Sequence, residues 1–438
     1  MSSNTVRLFT IPPFEGKQPP VRKILIGPGA LGSIGECIRE CKARHPYVLS
    51  DPDTFEAAGR TVCSLLQQEQ INYTSYILPA SHPEPDEATV GSAFMHCPAG
   101  CDLILGVGSG VINDTCKILS HLRGLPYIIA ATAPSMDGYA SATSSMSMDG
   151  LKVSLPSRCA DIIVGDTDVL KKAPLHMLSS GIGDMIAKYV SIAEWHIAHL
   201  ITGEYYSEEV AQLVRAALKK CTDHAEGLMQ RDPSAVEAVF EGLIIGGVAM
   251  AYAGVSRPAS GVEHYFSHVW DMRALQFGTF SDLHGIQCAM ATWHAVRLYD
   301  ALCRQAPDNK KAARYVAAFD YEDWKNQLRA FLGNSADTMI ALEEKEGKYR
   351  KETHPARFAR IEENWDAIRH ILREELPSES SLSSLLKTVH ISTDLTALQV
   401  DAECARMTFR ATKDIRDKYV LSRLAWDLGV LEELCLLL

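Results

Sequence analysis

The feature that most narrows the fold is an alternation of short apolar runs with amphipathic segments over the first 165 residues, which then stops. Residues 23–26 read as a strand, followed by glycines and a helical pattern over 31–42. Residues 47–49 form the next apolar run, before a helix from about 54 to 69, and the runs at 73–78, 103–105, 127–130 and 162–164 continue the series. Strands separated by helices of this length point to a parallel α/β sheet, which binds ligands beyond the carboxyl ends of its strands. No strand pattern follows residue 164, and a chain of 438 residues exceeds the size at which one core stops growing. The predicted architecture is therefore an α/β Rossmann-like N-terminal domain with a parallel sheet, residues 1–165, followed by an all-α C-terminal domain, residues 166–438.

In the second half, the strand ending at Gly165 leads to Asp168 as a predicted helix cap, and amphipathic helices are expected over about 208–231 and 235–255. Residues 300–375 read as solvated helices, P-S-E-S-S-L-S-S at 377–384 as a linker, and the tail L-A-W-D-L-G-V-L-E-E-L as a helical stripe docked in the core. The net charge of −11 argues against a nucleic-acid binder. Twelve cysteines show no repeating spacing, and the one close pair, Cys97 and Cys101, lacks the second pair of a zinc knuckle, so reduced thiols in the cytoplasm are expected. The start of the chain has no charged segment leading into a long apolar run, so no secretory signal is expected. The apolar stretch 242–255, with four glycines, is too short for a bilayer span, so no membrane insertion is expected.

Two glycine clusters stand at strand ends. Gly27, Gly29 and Gly32 have G-x-G-x-x-G spacing, with Asp51 nineteen positions after Gly32, where an acid would bond ribose hydroxyls. Tight-turn glycines give the same pattern. The second cluster, in L-I-L-G-V-G-S-G-V-I-N-D, sets Gly106, Gly108 and Gly110 directly after a strand, where backbone N–H groups and a helix N-terminus suit a pyrophosphate. The G-K-[S/T] ending of a P-loop is missing, and Asp114 and Lys117 follow on the helix. After the next strand, T-A-P-S-M-D-G-Y-A-S carries small hydroxyls, the Asp137 carboxylate and a turn glycine, as a binding loop or a conventional polar one.

The helical half holds a concentration of polar chemistry. Residues 256–268, S-R-P-A-S-G-V-E-H-Y-F-S-H, put His264 and His268 one helical turn apart, with Arg257, Glu263 and Ser267 nearby, and His284 follows in D-L-H-G. Asp184 and Lys188, four apart in G-I-G-D-M-I-A-K-Y, share a helical face. One carboxylate, Asp184, with two imidazoles, His264 and His284, is the makeup of a catalytic divalent-metal site with open positions. No cysteine lies in these three motifs. A metal facing a dinucleotide suits hydride transfer to or from a carbonyl carbon.

Taken together, G-V-G-S-G-V-I-N-D, T-A-P-S-M-D-G-Y-A-S, G-I-G-D-M-I-A-K-Y, R-P-A-S-G-V-E-H-Y-F-S-H and L-H-G-I-Q resemble the bacterial-type sn-glycerol-1-phosphate dehydrogenases, within the iron-containing alcohol dehydrogenase / dehydroquinate synthase-like superfamily. The resemblance covers about residues 20–300 and, more loosely, L-A-W-D-L-G. It implies a Rossmann-like and a helical domain with the active site between them. It also implies reversible reduction of dihydroxyacetone phosphate to sn-glycerol 1-phosphate; a glycerol or other polyol dehydrogenase of the same superfamily is the alternative. By motif, Gly108, Ser109, Gly110 and Val111 would hold the pyrophosphate, with Thr132, Ala133, Pro134 and Ser135 beside the nicotinamide and Ser141 also on the cofactor. Asp137 and His268 would touch the substrate, with Asp184 near it, and Asp184, His264 and His284 would ligate one divalent metal, zinc or nickel. Asp51 fits the ribose, favouring NAD over NADP, since a carboxylate repels a 2′-phosphate. Lys188 and Arg257 are both candidates for the substrate phosphate, and the family implies a homodimer.

Overall fold

The computed structural model describes residues 5–79, 83–148 and 151–438. Its main sheet has seven strands: β1 (Arg7–Leu8), β2 (Lys23–Gly27), β3 (Pro46–Ser50), β4 (Thr74–Ile77), β5 (Leu103–Gly108), β6 (Tyr127–Ala131) and, after a separate hairpin, β9 (Ile162–Asp166). Their spatial order is β1-β2-β9-β6-β5-β3-β4, and every pairing but β1 with β2 is parallel. Every apolar run predicted as a strand lies at one of these strands. The runs lack the apolar–polar alternation of a half-exposed sheet because the central strands are buried on both faces. On one face Val48, Leu105, Val107, Ile128, Ala130 and Val164 pack against Ile34 and Ile38 of the helix Ile34–Glu40 and Val62 and Leu66 of the helix Arg60–Gln68. The intervening Tyr47, Leu49, Ile104, Ile129 and Ile163 point to the other face and are equally buried.

The strand order fixes where a ligand can lie. From β3 the chain moves outward to β4, then crosses back to β5 and continues through β6 to β9. The direction reverses between β3 and β5, and the crevice at such a switch point is the ligand site of open α/β sheets. Asp51 directly follows β3 and Ser109 directly follows β5, with Leu49 opposite Gly106 in register. The first glycine cluster sits elsewhere, at the end of β2, separated from β5 by β9 and β6. There the carboxylate of Asp166 accepts from the N–H groups of Gly29 at 3.1 Å and Leu31 at 3.0 Å. The chain's own anion fills this nest, so the dinucleotide reading of Gly27, Gly29 and Gly32 is withdrawn in favour of a tight turn. Asp166 also caps the helix Thr167–Leu170 by accepting from Asp168 N–H, the capping role expected of Asp168 itself.

Three further elements differ from expectation. The strands β7 (Thr143–Met148) and β8 (Leu151–Pro156) pair antiparallel as a separate hairpin. Serine-rich strands hide their period among small polar residues. The stretch 377–384 is no linker: Ser378 accepts from Ser381 N–H at 3.2 Å to start the helix Glu379–Thr388, which buries Leu382 and Leu386 one turn apart. The helix Pro233–Ala253, at 21 residues, is longer than the expected apolar run and is long and apolar enough to cross a membrane, yet 72% of its most apolar window is buried within the protein.

The chain divides into two compact units, Met1–Met185 with Gln212–Val255, and Ile186–Ala211 with Ser256–Leu438. The limits 1–165 and 166–438 mark where strands stop. By compactness, part of the helical chain belongs with the sheet, because the sheet's apolar surface needs covering. The helix Pro233–Ala253 packs so closely that a Cβ on Gly165 would lie 2.2 Å from the Phe240 ring. In the second unit, Trp426 of the tail packs against Phe319, Tyr349 and His354, as its stripe anticipated. Gly165→Ala should lower the melting temperature, with an overpacking cost of about 1–3 kcal/mol. Gly32→Ala, whose Cβ would meet nothing within 4 Å, should leave it unchanged. A thermal scan of both variants checks this, and equal stability would mean that the helix is not seated on β9.

Candidate functional site

In the first unit the residues assigned to the cofactor gather around the carboxyl ends of β5 and β6. Gly108 is glycine because the helix Gly110–Arg123 turns back at once, and a Cβ there would stand 2.5 Å from Ile112. A Cβ on Gly110 would make one ordinary contact, with Met136 at 3.6 Å. Ser109 does not cap the helix; its Oγ pairs with Ser135 Oγ at 2.5 Å. Among the described residues the helix therefore begins without a side-chain cap, unlike the turn plugged by Asp166. That geometry fits a pyrophosphate, which needs exposed N–H groups at a helix N-terminus and a residue without a side chain beside them. Thr132 N–H donates to Gly108 O at 3.1 Å, and Tyr139, buried, donates to Ala133 O at 2.6 Å. Asp51 spends one carboxylate oxygen on the N–H of Thr54, in a capping box.

The loop after β6 is held from two sides. On one side, Lys117, fully buried, pairs with Asp114 at 2.8 Å and donates to Gly138 O, Ser141 Oγ and Thr143 O. Ser141, assigned to the cofactor, thus has its hydroxyl tied to Lys117 and to Thr143 O at 2.8 Å. Asn113 adds a bond from Nδ2 to Gly138 O at 3.1 Å. On the other side, the helix Leu175–Ile186 presses so hard that a Cβ on Gly181 would lie 1.8 Å from Pro134 O. From that helix Ser180 donates to Ser135 O, and the Asp184 carboxylate accepts the Asp137 N–H at 2.9 Å. The motif G-I-G-D thus carries a glycine for close approach and an acid that fixes the loop.

In the second unit, the helix Val262–Phe277 presents His264 and His268, and the helix His284–Cys303 begins with His284. The rings of His264 and His284 are 4.9 Å apart, and those of His268 and His284 are 5.9 Å apart. His264 Nδ1 bonds Glu263 Oε1 at 2.8 Å, and His284 Nδ1 bonds Ser267 Oγ at 2.9 Å. Outer partners at Nδ1 of this kind orient imidazole ligands in metal sites. The donor set therefore fits a divalent ion. The first-unit residue Asp184 is buried as well. Sequence reasoning missed Cys288. It stands one turn after His284, completely buried, with Sγ 3.5 Å from His284 Nε2, and forms a potential metal-binding group with both histidines. The H-x-x-x-C spacing was legible, but the sequence does not say which residues reach His264.

The electrostatics keep His268 neutral. Burial, and then the charge of Arg416, hold its pKa well below the usual imidazole value, and its Nδ1 has no partner among the described residues. Around the start of its helix, Val262 N–H donates to Glu194 Oε2 at 2.8 Å and Gly261 N–H to Glu263 Oε1 at 2.6 Å. Burial, reinforced by Glu263, pushes the Glu194 carboxyl up to about 8, and burial brings Lys418 down to about 7. Of the two phosphate candidates, Lys188 donates to Ala259 O at 3.1 Å, and Arg257 donates to Tyr419 O at 3.0 Å and Glu204 at 2.8 Å.

Comparison with known proteins narrows the class and then the family. The family model described as iron-containing alcohol dehydrogenase matches residues 25–174. Glycerol dehydrogenase from Schizosaccharomyces pombe shares the fold, with a TM-score of 0.62 at 19% identity over 95% of this chain and 90% of that one. The fold is thus that of the iron-containing alcohol dehydrogenase class. The glycerol-1-phosphate dehydrogenase [NAD(P)+] of Bacillus velezensis is 33% identical over 301 residues, covering 67% of this chain and 76% of the relative. The enzyme of that name from Methanothrix thermoacetophila is 34% identical over 272 residues, 62% of this chain and 75% of the relative. The chain belongs to the glycerol-1-phosphate dehydrogenase family.

The bracing of the loop after β6 can be checked directly. Lys117→Met removes a buried cation and strands its acceptors, and should cost about 3–5 kcal/mol, read as a shift in the denaturation midpoint. A shift within error would remove Lys117 from the loop's support.

Proposed function

We propose that this oxidoreductase catalyses the reversible NAD(P)-dependent reduction of dihydroxyacetone phosphate to sn-glycerol 1-phosphate, assisted by one divalent metal. The observation that carries the reading is the pair of imidazoles braced at Nδ1 in a chain that is 33% identical to a glycerol-1-phosphate dehydrogenase [NAD(P)+] over 301 residues. Asp184, His264 and His284 hold the metal, zinc or nickel. Gly108, Ser109, Gly110 and Val111 receive the pyrophosphate, Thr132 to Ser135 flank the nicotinamide, and Asp51 bonds the ribose, favouring NAD. When bound, the metal would polarise the ketone oxygen while the dinucleotide supplies hydride to the ketone carbon.

The chain's own residues do the positioning and the proton work. The helix N-terminus at Gly110 favours the cofactor's negative charge. Asp184 holds the backbone of Asp137, which orients the substrate. His268, kept neutral by burial, relays the proton to the product oxygen: an imidazole can accept on one nitrogen and release from the other. The substrate phosphate needs a cation, and Lys188 and Arg257 stay the two candidates, each held in place by acceptors of the chain. The proposal includes a homodimer and a cytoplasmic location, the latter supported by twelve free cysteines.

The test is NADH oxidation with dihydroxyacetone phosphate against dihydroxyacetone, on the metal-stripped protein and after restoring zinc or nickel. Turnover should require metal and favour the phosphorylated ketone, and Lys188→Ala or Arg257→Ala should raise the KM for that ketone; an unchanged KM in both would remove them from the phosphate site. Preference for dihydroxyacetone would give the polyol dehydrogenase reading instead. Metal analysis separates the histidines: His264→Ala should lose the ion, whereas His268→Ala should keep it and lose turnover by about 10²–10⁴-fold, the usual contribution of a proton-transfer group. Equal metal loss in both would make His268 a ligand.

A further inference from the structure

We propose that Cys288 is a ligand of the metal, so that the ion is held by the thiolate of Cys288 as well as by His264 and His284 and would polarise the ketone only by expanding to a fifth position. The inference rests on the metal reading above and deepens it. The geometry is specific. With bonds of about 2.0–2.1 Å to nitrogen and 2.3 Å to sulfur, two ligands of one tetrahedral ion stand about 3.5 Å apart. Cys288 Sγ lies 3.5 Å from His284 Nε2, and one donor atom from each of His264, His284 and Cys288 falls within 4.8 Å of the other two. Spacing accounts for the first half of this. His284 and Cys288 are one turn apart on the helix His284–Cys303, so their side chains lie on one face.

The surroundings separate a ligand from a packing thiol. A buried cysteine that only fills space sits among apolar side chains; Cys288 is completely buried, and the His284 imidazole contacts its sulfur. Both imidazoles carry an acceptor or hydroxyl at Nδ1, Glu263 on one and Ser267 on the other, and such outer partners orient the rings of metal-binding histidines. Binding would release the thiol proton to solvent and form one metal–sulfur bond, with no change of oxidation state. A sulfur donor favours a borderline ion such as zinc over harder oxygen-seeking ions. It also makes the centre sensitive to peroxide, because an oxidised sulfur no longer donates as a thiolate.

The metal-free chain titrated anaerobically with cobalt(II) decides the matter by spectroscopy, without any assay of turnover. The native protein should take up one equivalent of cobalt and develop a near-ultraviolet thiolate-to-cobalt charge-transfer band. Cys288→Ser should lose that band, keep the same circular dichroism and bind zinc more weakly by more than the ~100-fold that loss of an outer partner can cause. One equivalent of cobalt with no charge-transfer band in the native protein overturns this inference and leaves the metal reading standing, whatever the folding of the variant. A band that survives in Cys288→Ser overturns it too, because the sulfur then belongs to another cysteine. Failure to bind cobalt at all overturns both readings.

Discussion

A backbone N–H withdrawn from water must find an acceptor, and a stranded one costs as much as several ordinary contacts gain. In this protein the acceptor is repeatedly a carboxylate. Asp166 takes Gly29 and Leu31, Asp184 takes Asp137, Glu263 takes Gly261 and Glu194 takes Val262. Each bond ties a turn or helix start to an acid, most of them far away in sequence. The helix after β5 is the contrast: it starts at Gly110 with no side-chain cap. An anion of the chain's own excludes a ligand's anion, so the same glycine chemistry is structural at the end of β2 and available to a phosphate at the end of β5.

The same economy shapes the histidine-bearing helix. Two carboxylates, Glu194 and Glu263, are buried at its start, where two ionised acids would repel each other. Burial raises Glu194 and lowers Lys418, so both charges are softened, while Arg257 is neutralised by Glu204. The imidazoles ahead of this network are fixed rather than free to rotate, Glu263 through one ring and Ser267 through another. A metal site needs that stiffness more than it needs additional donors.

Much of the sheet was legible because burial on both faces leaves uninterrupted apolar runs, and every one of the runs read as strands lies at a strand of the main sheet. The β7–β8 hairpin was not, since T-S-S-M-S-M offers little apolar contrast. The helix at 379–388 was hidden by serines whose composition suggests a linker, although Ser378 followed by Glu379 is also a helix start and Leu382 with Leu386 a buried stripe. The first glycine cluster matched a dinucleotide fingerprint in spacing, and only the strand order, with Asp166 brought alongside, identified it as a turn.

By itself the sequence determined the alternating α/β architecture of the first 165 residues, the glycine turn at 106–110, and the histidines and acid of a metal chemistry. Those follow from local rules: the period of apolar residues, the need for glycine where a helix doubles back on a strand, and a spacing of four on a helix. The tertiary structure decided which acids plug which N–H groups, which cations are already committed, and that Cys288 shares its surroundings with His264 and His284. Those outcomes depend on residues far apart in sequence being brought within about 3 Å of each other, the range over which hydrogen bonds act. Only chain topology sets that proximity.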